Sequence, residues 1–167
     1  MNRMVLAVLV KNTSGVLARV ASLFSRRGYN IDSLTVGETM DPNVSRITIA
    51  CTGDKLILEQ IEKQVSKLID VIEIVDLSKV DSVFRELVMI KVKANNQTRA
   101  SILEIVNVFR AKIIDIASET LVIEMTGDTG KTNAMIELLK PYGIVELIKT
   151  GLTGTCRGAA SLGGAAD

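Results

Sequence analysis

The sequence contains no histidine, which removes the commonest general base and the commonest metal ligand. It contains no tryptophan, and its three Phe and two Tyr bring aromatic residues to only 3%. Single-stranded nucleic acid is bound on stacking platforms, and few are available here. The two cysteines, Cys51 and Cys156, are far apart and neither lies in a CxxC pair, so a disulfide framework or a zinc site is not expected. Their scarcity points to the cytoplasm. No apolar run is long enough to span a bilayer. The first residues, Met1 to Val5, lead directly into a strand pattern, so no signal peptide is expected. An excess of one charge is also missing. Twenty Lys and Arg stand against nineteen Asp and Glu, for a net charge of +1. The balance is local: residues 1–78 carry nine of each sign, and residues 79–167 carry eleven basic and ten acidic. Neither half presents a nucleic-acid or membrane-surface patch.

What the chain does have is apolar residues, 47% of its 167, arranged in an order that occurs twice. Residues 3–11 (RMVLAVLVK) read as a buried strand. Asn12-Thr13-Ser14-Gly15 is turn and cap chemistry. Residues 15–27 follow as a helix whose apolar face is Val16, Leu17, Val20, Ala21 and Phe24. Arg26 and Arg27 suit the negative end of its dipole, and Gly28 suits a left-handed stop. Residues 30–39 and 45–52 read as strands around the turn Asp41-Pro42-Asn43. Residues 54–68 read as a helix with Ile57, Ile61, Val65 and Leu68 inward, and residues 70–77 as a closing strand.

The second half repeats the plan. Strands are expected at 85–93, 113–118, 120–126 and 144–150, with helices at 98–111 and 130–142. The inward residues of the first of these helices are Ile102, Ile105, Val106 and Phe109. Thr52-Gly53-Asp54 opens the second helix of one half, as Thr126-Gly127-Asp128 does in the other. The order βαββαβ, repeated, gives an α+β chain of two tandem ferredoxin-like domains, each an antiparallel sheet with both helices on one face. The expected division is 1–78, 79–157 and a small-residue tail, 158–167, without stable order.

Residues 5–10 and 45–51 are apolar on both sides of their strands, so the sheet face away from the helices needs its own cover. Another copy of the chain would supply it in a homodimer. The two domains could equally cover each other.

Most motifs dissolve on inspection. Gly127-Asp128-Thr129-Gly130-Lys131-Thr132 resembles a phosphate-binding loop, but GxxxxGK[ST] requires glycine where Met125 stands. A strand-to-helix turn capped by Asp128 or Thr129 is the expected structure. Cys51 reads as a small buried hydrophobe. Cys156 reads as an exposed thiol in a Gly-rich stretch. Acidic residues such as Glu59 and Glu62, or Asp70, Glu73 and Asp76, are spaced as on solvated faces.

The segment from Asn12 to Ile31 stands apart. Gly15 sits at the start of a helix directly after a strand. The first amides of that helix have no internal partner and carry partial positive charge, so they can hold a carboxylate. A glycine there lets a ligand approach the backbone. At the other end of the helix, Gly28-Tyr29-Asn30-Ile31 brings an Asn that could serve a zwitterion from a second chain. Ordinary capping by Asn12 and Ser14, and an ordinary stop at Gly28, would explain the same residues.

The stretch N-T-S-G-V-L-A-R-V-A-S-L-F-S-R-R-G-Y-N-I-D-S-L-T-V, Asn12 to Val36, closely resembles the N-terminal ACT domain of the small regulatory subunits of acetolactate (acetohydroxyacid) synthase. Asp41 to Ile49, Glu59 to Gln64, Lys67 to Val71 and Phe109 to Asp115 fit the same family, as does the Thr126-Gly127 turn. The resemblance runs over roughly residues 3–157. It implies a non-catalytic subunit that activates a large catalytic partner condensing two pyruvates, or pyruvate with 2-oxobutyrate, in branched-chain amino acid biosynthesis. It implies feedback inhibition by valine, with leucine or isoleucine as variants. It places no cofactor in this chain: thiamine diphosphate, Mg and FAD are expected on the catalytic subunit. Carried over by position, the effector site takes Asn12, Gly15, Val16 and Leu17 from one chain and Asn30 and Ile31 from another.

Three other roles share this fold plan and fit worse. An RNA-binding module needs aromatics on the central strands, and residues 5–10 and 45–51 have none. A transcriptional sensor needs a helix-turn-helix segment. A small enzyme needs a catalytic cluster.

Overall fold

The computed structural model describes residues 2–162. The βαββαβ order is present twice. The first run is β1 (Asn2–Lys11), α1 (Val16–Arg26), β2 (Ser33–Glu38), β3 (Val44–Gly53), α2 (Lys55–Val65) and β4 (Val71–Asp76). The second is β5 (Ser82–Lys93), α3 (Arg99–Val108), β6 (Lys112–Ile116), β7 (Thr120–Gly127), α4 (Thr129–Leu139) and β8 (Ile144–Lys149), with a 3-10 turn at Lys140–Tyr142 and a short β9 (Thr153–Cys156). The sheets order as β2-β3-β1-β4 and β6-β7-β5-β8, with neighbouring strands antiparallel. Both are the ferredoxin-like arrangement. The described residues form two compact units, 2–83 with 152–162, and Phe84–Gly151.

In the first unit the pleat of β1 decides which residues meet the helices. Met4, Leu6, Val8 and Val10 face α1 and α2 and pack with Ile47, Ile49 and Cys51 of β3. From the helices come Val16, Val20 and Phe24 on one side and Leu58, Ile61 and Val65 on the other. One expected helix face is narrower and another is rotated. Leu17 is 43% exposed and Ala21 is exposed, because the 3.6-residue period carries Val16, Val20 and Phe24 inward and leaves these two flanking. Leu58 takes the buried place expected of Ile57, which is 38% exposed. In the second unit Val88, Ile90, Val92, Leu121, Ile123 and Met125 meet Ile102 and Val106 of α3 and Met135 and Leu139 of α4.

The opposite face of the first sheet carries Ser33, Ala50 and Val5 in one row, Thr35, Thr48 and Ala7 in the next, and Gly37, Arg46 and Leu9 in a third. Val5, Ala7, Leu9, Thr48 and Ala50 are all buried. The segment that follows Gly151 runs across this face. The Leu152 amide donates to Ser33 Oγ at 3.2 Å, and Thr35 Oγ1 donates to the Leu152 carbonyl at 3.3 Å. Arg46 Nη2 donates to the Gly154 carbonyl at 2.7 Å, and the Arg157 amide donates to the Asp81 carbonyl at 2.9 Å. Leu152 itself is buried. A segment that the sequence did not single out as cover, residues 152–157 of the chain itself, thus lies on this face. Cys156, expected as an exposed thiol in a Gly-rich stretch, is instead half-buried in β9. Of the tail, residues 158–162 carry no helix or strand, and residues 163–167, also expected to lack order, lie outside the described residues.

The helix ends differ between the repeats. At α4 Asp128 is a conventional cap, its Oδ1 accepting from the Lys131 amide at 2.8 Å, and Gly127–Thr132 is a capped strand-to-helix junction. Its counterpart Asp54 makes no side-chain cap to α2. No described helix is long and apolar enough to cross a membrane.

Candidate functional site

The start of α1 departs from the capping expected of Asn12 and Ser14. Neither side chain caps the helix, and the N-cap residue is Gly15, in the left-handed region at φ 86°. A side chain at this φ is strained, which gives glycine its reason. The Asn12 side chain is committed elsewhere: its Nδ2 donates to the Pro42 carbonyl at 2.8 Å and to Glu38 Oε1 at 3.2 Å. Its backbone amide donates to the Asn43 carbonyl at 2.7 Å. Asn12 therefore ties the β1–α1 loop to the β2–β3 hairpin. In the first turn, the Val16 amide donates to the Thr13 carbonyl at a long 3.4 Å. The Leu17 and Ala18 amides have no backbone acceptor among the described residues. They lie at the positive end of the helix dipole, beside the exposed Leu17 side chain.

Two residues complete this end: Arg19, which the sequence did not single out, and Asp70, expected on a solvated face but buried. The Arg19 Nε donates to Asp70 Oδ2 at 2.6 Å, where the Arg19 side chain is half exposed and the Asp70 side chain is only 12% exposed. Asp70 reaches this place because its carbonyl accepts from the Lys11 amide, which fixes the start of β4 beside the end of β1. Arg19 Nη1 lies 3.1 Å from where a Cβ on Gly15 would stand. A helical side chain leans toward the N-terminus, so residue 19 covers residue 15. That spacing was readable in the sequence. The Asp70 contact was not, since it depends on which strands are neighbours.

Asn30 and Ile31 lie at the other end of α1. The helix closes through the Gly28 amide to the Ser25 carbonyl and the Tyr29 amide to the Phe24 carbonyl, with Gly28 at φ 66°, the left-handed stop that the sequence suggests. Asn30 is exposed, its Nδ2 donating to Asp32 Oδ1 at 3.2 Å. Ile31 is half-buried against the first core. Eleven helical residues span about 16 Å. Gly15, Val16 and Leu17 are therefore brought together at one end with Asn12 close by, and Asn30 and Ile31 at the other. One chain does not assemble all six.

Other reactive groups are quiet. Burial, then the nearby Asp32 and Asp76 carboxylates, push the Cys51 thiol up from 9.0 to about 11. No group of His, Cys, Asp or Glu suited to a metal occurs among the described residues.

Comparison with known proteins gives matches over nearly the whole chain. Residues 6–73 match the family described as the AHAS small subunit-like ACT domain, and residues 85–158 match the family described as the small subunit of acetolactate synthase. The acetolactate synthase small subunit of Mycolicibacterium smegmatis is 50% identical over 160 residues, covering 96% of this chain and 94% of the relative. A probable acetolactate synthase small subunit of Methanothermobacter thermautotrophicus is 46% identical over 159 residues, covering 95% of each. The crystal structure of the acetolactate synthase small subunit from Thermotoga maritima superposes with a TM-score of 0.85 at 39% identity, covering 96% of this chain and all of that one.

Proposed function

We infer a regulatory role from one premise: the chain belongs to the acetolactate synthase small-subunit family. In this reading it is the non-catalytic partner of a large catalytic subunit, in the cytoplasm, and serves the synthesis of valine, leucine and isoleucine. Thiamine diphosphate, Mg and FAD belong to the large subunit. This chain raises that subunit's activity and makes it sensitive to a branched-chain amino acid, valine first, with leucine and isoleucine as alternatives.

The observation that carries the reading is the start of α1. Gly15 leaves the backbone approachable, and the Leu17 and Ala18 amides are open to an acceptor. A carboxylate suits them. The exposed Leu17 offers apolar surface to a branched side chain. Asn30 and Ile31 stand too far along α1 to serve the same ligand from the same chain. A homodimer that brings Asn30 and Ile31 of one chain to Asn12, Gly15, Val16 and Leu17 of the other completes the site. Valine then links two first units, and inhibition follows if the linked arrangement favours a less active catalytic subunit. The differential binding needed is about 1–3 kcal/mol, the usual size of allosteric coupling.

Calorimetric titration of the purified chain with L-valine, with D-valine as control, tests this. Saturable binding of the L form, lost in Gly15→Asp, is expected. The introduced carboxylate would occupy the anion position. With the large subunit added, Gly15→Asp should still activate but no longer confer valine inhibition. A Gly15→Asp holoenzyme that stays fully valine-sensitive contradicts the site.

A further inference from the structure

An arginine beside the positive end of a helix is electrostatically misplaced. The dipole at a helix N-terminus favours anions and disfavours cations. Yet the Arg19 guanidinium lies over Gly15, with Nη1 3.1 Å from the Cβ position, at the helix end where the Leu17 and Ala18 amides lack a backbone acceptor. It is held there deliberately. Asp70, nearly buried, takes the Nε–H at 2.6 Å and is itself fixed by the β1–β4 junction. A guanidinium has five N–H donors in a rigid fork, and this contact uses one. Among the described residues no acceptor engages Nη1 or Nη2. The result is a cation, a helix N-terminus and a glycine without a cap, all at one point, with one buried carboxylate on the far side of the guanidinium and the near side open.

We propose that Arg19 is the cationic anchor for the effector's carboxylate, and that Asp70 is a positioning residue that holds the guanidinium over Gly15. This rests on the reading of the α1 N-terminus as the effector site and deepens it. The open amides and the guanidinium together take the carboxylate, the amides by hydrogen bonds along the helix axis and Arg19 by a charge-assisted bond from Nη1 or Nη2. Asp70 offsets the charge that the site carries when no ligand is present. The specificity that follows is for a free α-carboxylate, against an amide or ester of the same amino acid.

The test is a comparison of L-valine with L-valinamide, which keeps the amino group and side chain and lacks the negative charge. Titrations use the wild-type full-length chain, Arg19→Gln, Arg19→Lys and Asp70→Asn, each checked for an unchanged circular dichroism spectrum. The wild type should prefer valine to valinamide by about tenfold or more, the usual size of a charge-assisted contact. Arg19→Gln should weaken valine by about that factor, leave valinamide nearly unchanged and so erase the discrimination. Asp70→Asn should weaken valine by less, because the guanidinium remains but is no longer held. If Arg19→Gln misfolds, Arg19→Lys serves: a charge without the fork should keep part of the preference. Wild-type binding of valine with an unchanged affinity in Arg19→Gln overturns the anchor. Equal weakening of valine and valinamide also overturns it, since a merely structural ion pair would act on both. No valine binding by the wild type sinks the effector reading itself, and this inference with it.

Discussion

At the scale of single residues, the chain places strain and burial where a ligand site and a core would use them. Gly15 at φ 86° is the clearest case. Its replacement by alanine is expected to cost about 1 kcal/mol of stability, because the left-handed conformation suits glycine alone. Arg19 would also have to give way to the new Cβ. Denaturant titration of Gly15→Ala measures this, and a stability equal to wild type contradicts the strain. Cys51 makes a second test. Its thiol is pushed up to about 11 by burial and by two nearby carboxylates. The native state thus holds its proton more tightly than the unfolded state does. The associated stability is fully present below pH 9 and declines as pH rises toward 11. Cys51→Ala should lack that decline, which pH-dependent denaturation detects. Thiol reagents should label Cys156 first and Cys51 only on unfolding. Both glycine positions of the α1 ends were legible in the sequence, as was the apolar character of Cys51. Arg19 with Asp70 was not: residues 51 positions apart meet only because β1 and β4 are sheet neighbours.

Elements were legible where periodicity is strong. The α1 pattern placed Val16, Val20 and Phe24 inward, as observed, but its breadth also drew in Leu17 and Ala21, which lie on the flanks. Periodicity assigns a face and not its width. In α2 the pattern put Ile57 inward rather than the adjacent Leu58, and the fold buries Leu58 instead. The β9 strand was invisible because Thr-Gly-Thr-Cys has neither length nor alternation, and its segment is fixed by the sheet face it crosses. That segment gives a prediction at this scale. Leu152 is 3% exposed, and Leu152→Ala is expected to cost about 2–4 kcal/mol, as a cavity in a packed place. Hydrogen exchange should quicken at residues 33–36 and 46–50 of the first unit. Unaltered protection there means that the segment only rests on the sheet.

At the scale of the whole molecule, the duplication was readable from the order of strands and helices alone, and the shared Thr-Gly-Asp turns marked it. The repeats then diverge in use. In the second unit the Asn95 Oδ1 accepts from the Gln97 and Thr98 amides just before α3, and Asp128 caps α4. At the start of α1 Gly15 takes the cap position without a side-chain bond, and a guanidinium stands above it. Thr98, the N-cap residue of α3, makes no side-chain cap either, so what sets the start of α1 apart is a left-handed glycine beneath a guanidinium. The length of α1 explains why the six residues are not gathered by one chain: four belong to one end of a helix about 16 Å long and two to the other.

A shared site has a consequence that a site within one chain lacks. Gly15→Asp and Asn30→His should each abolish or weaken valine binding when pure. When the two variant chains are mixed and allowed to exchange, half of the dimers pair unlike chains. In each of these, one site combines an intact Gly15 with an intact Asn30. Calorimetry on the mixture should recover valine binding at about one quarter of the wild-type number of sites, with wild-type affinity. A mixture that binds no better than its components, with exchange verified by mass, contradicts the account of an effector held between two copies of this chain.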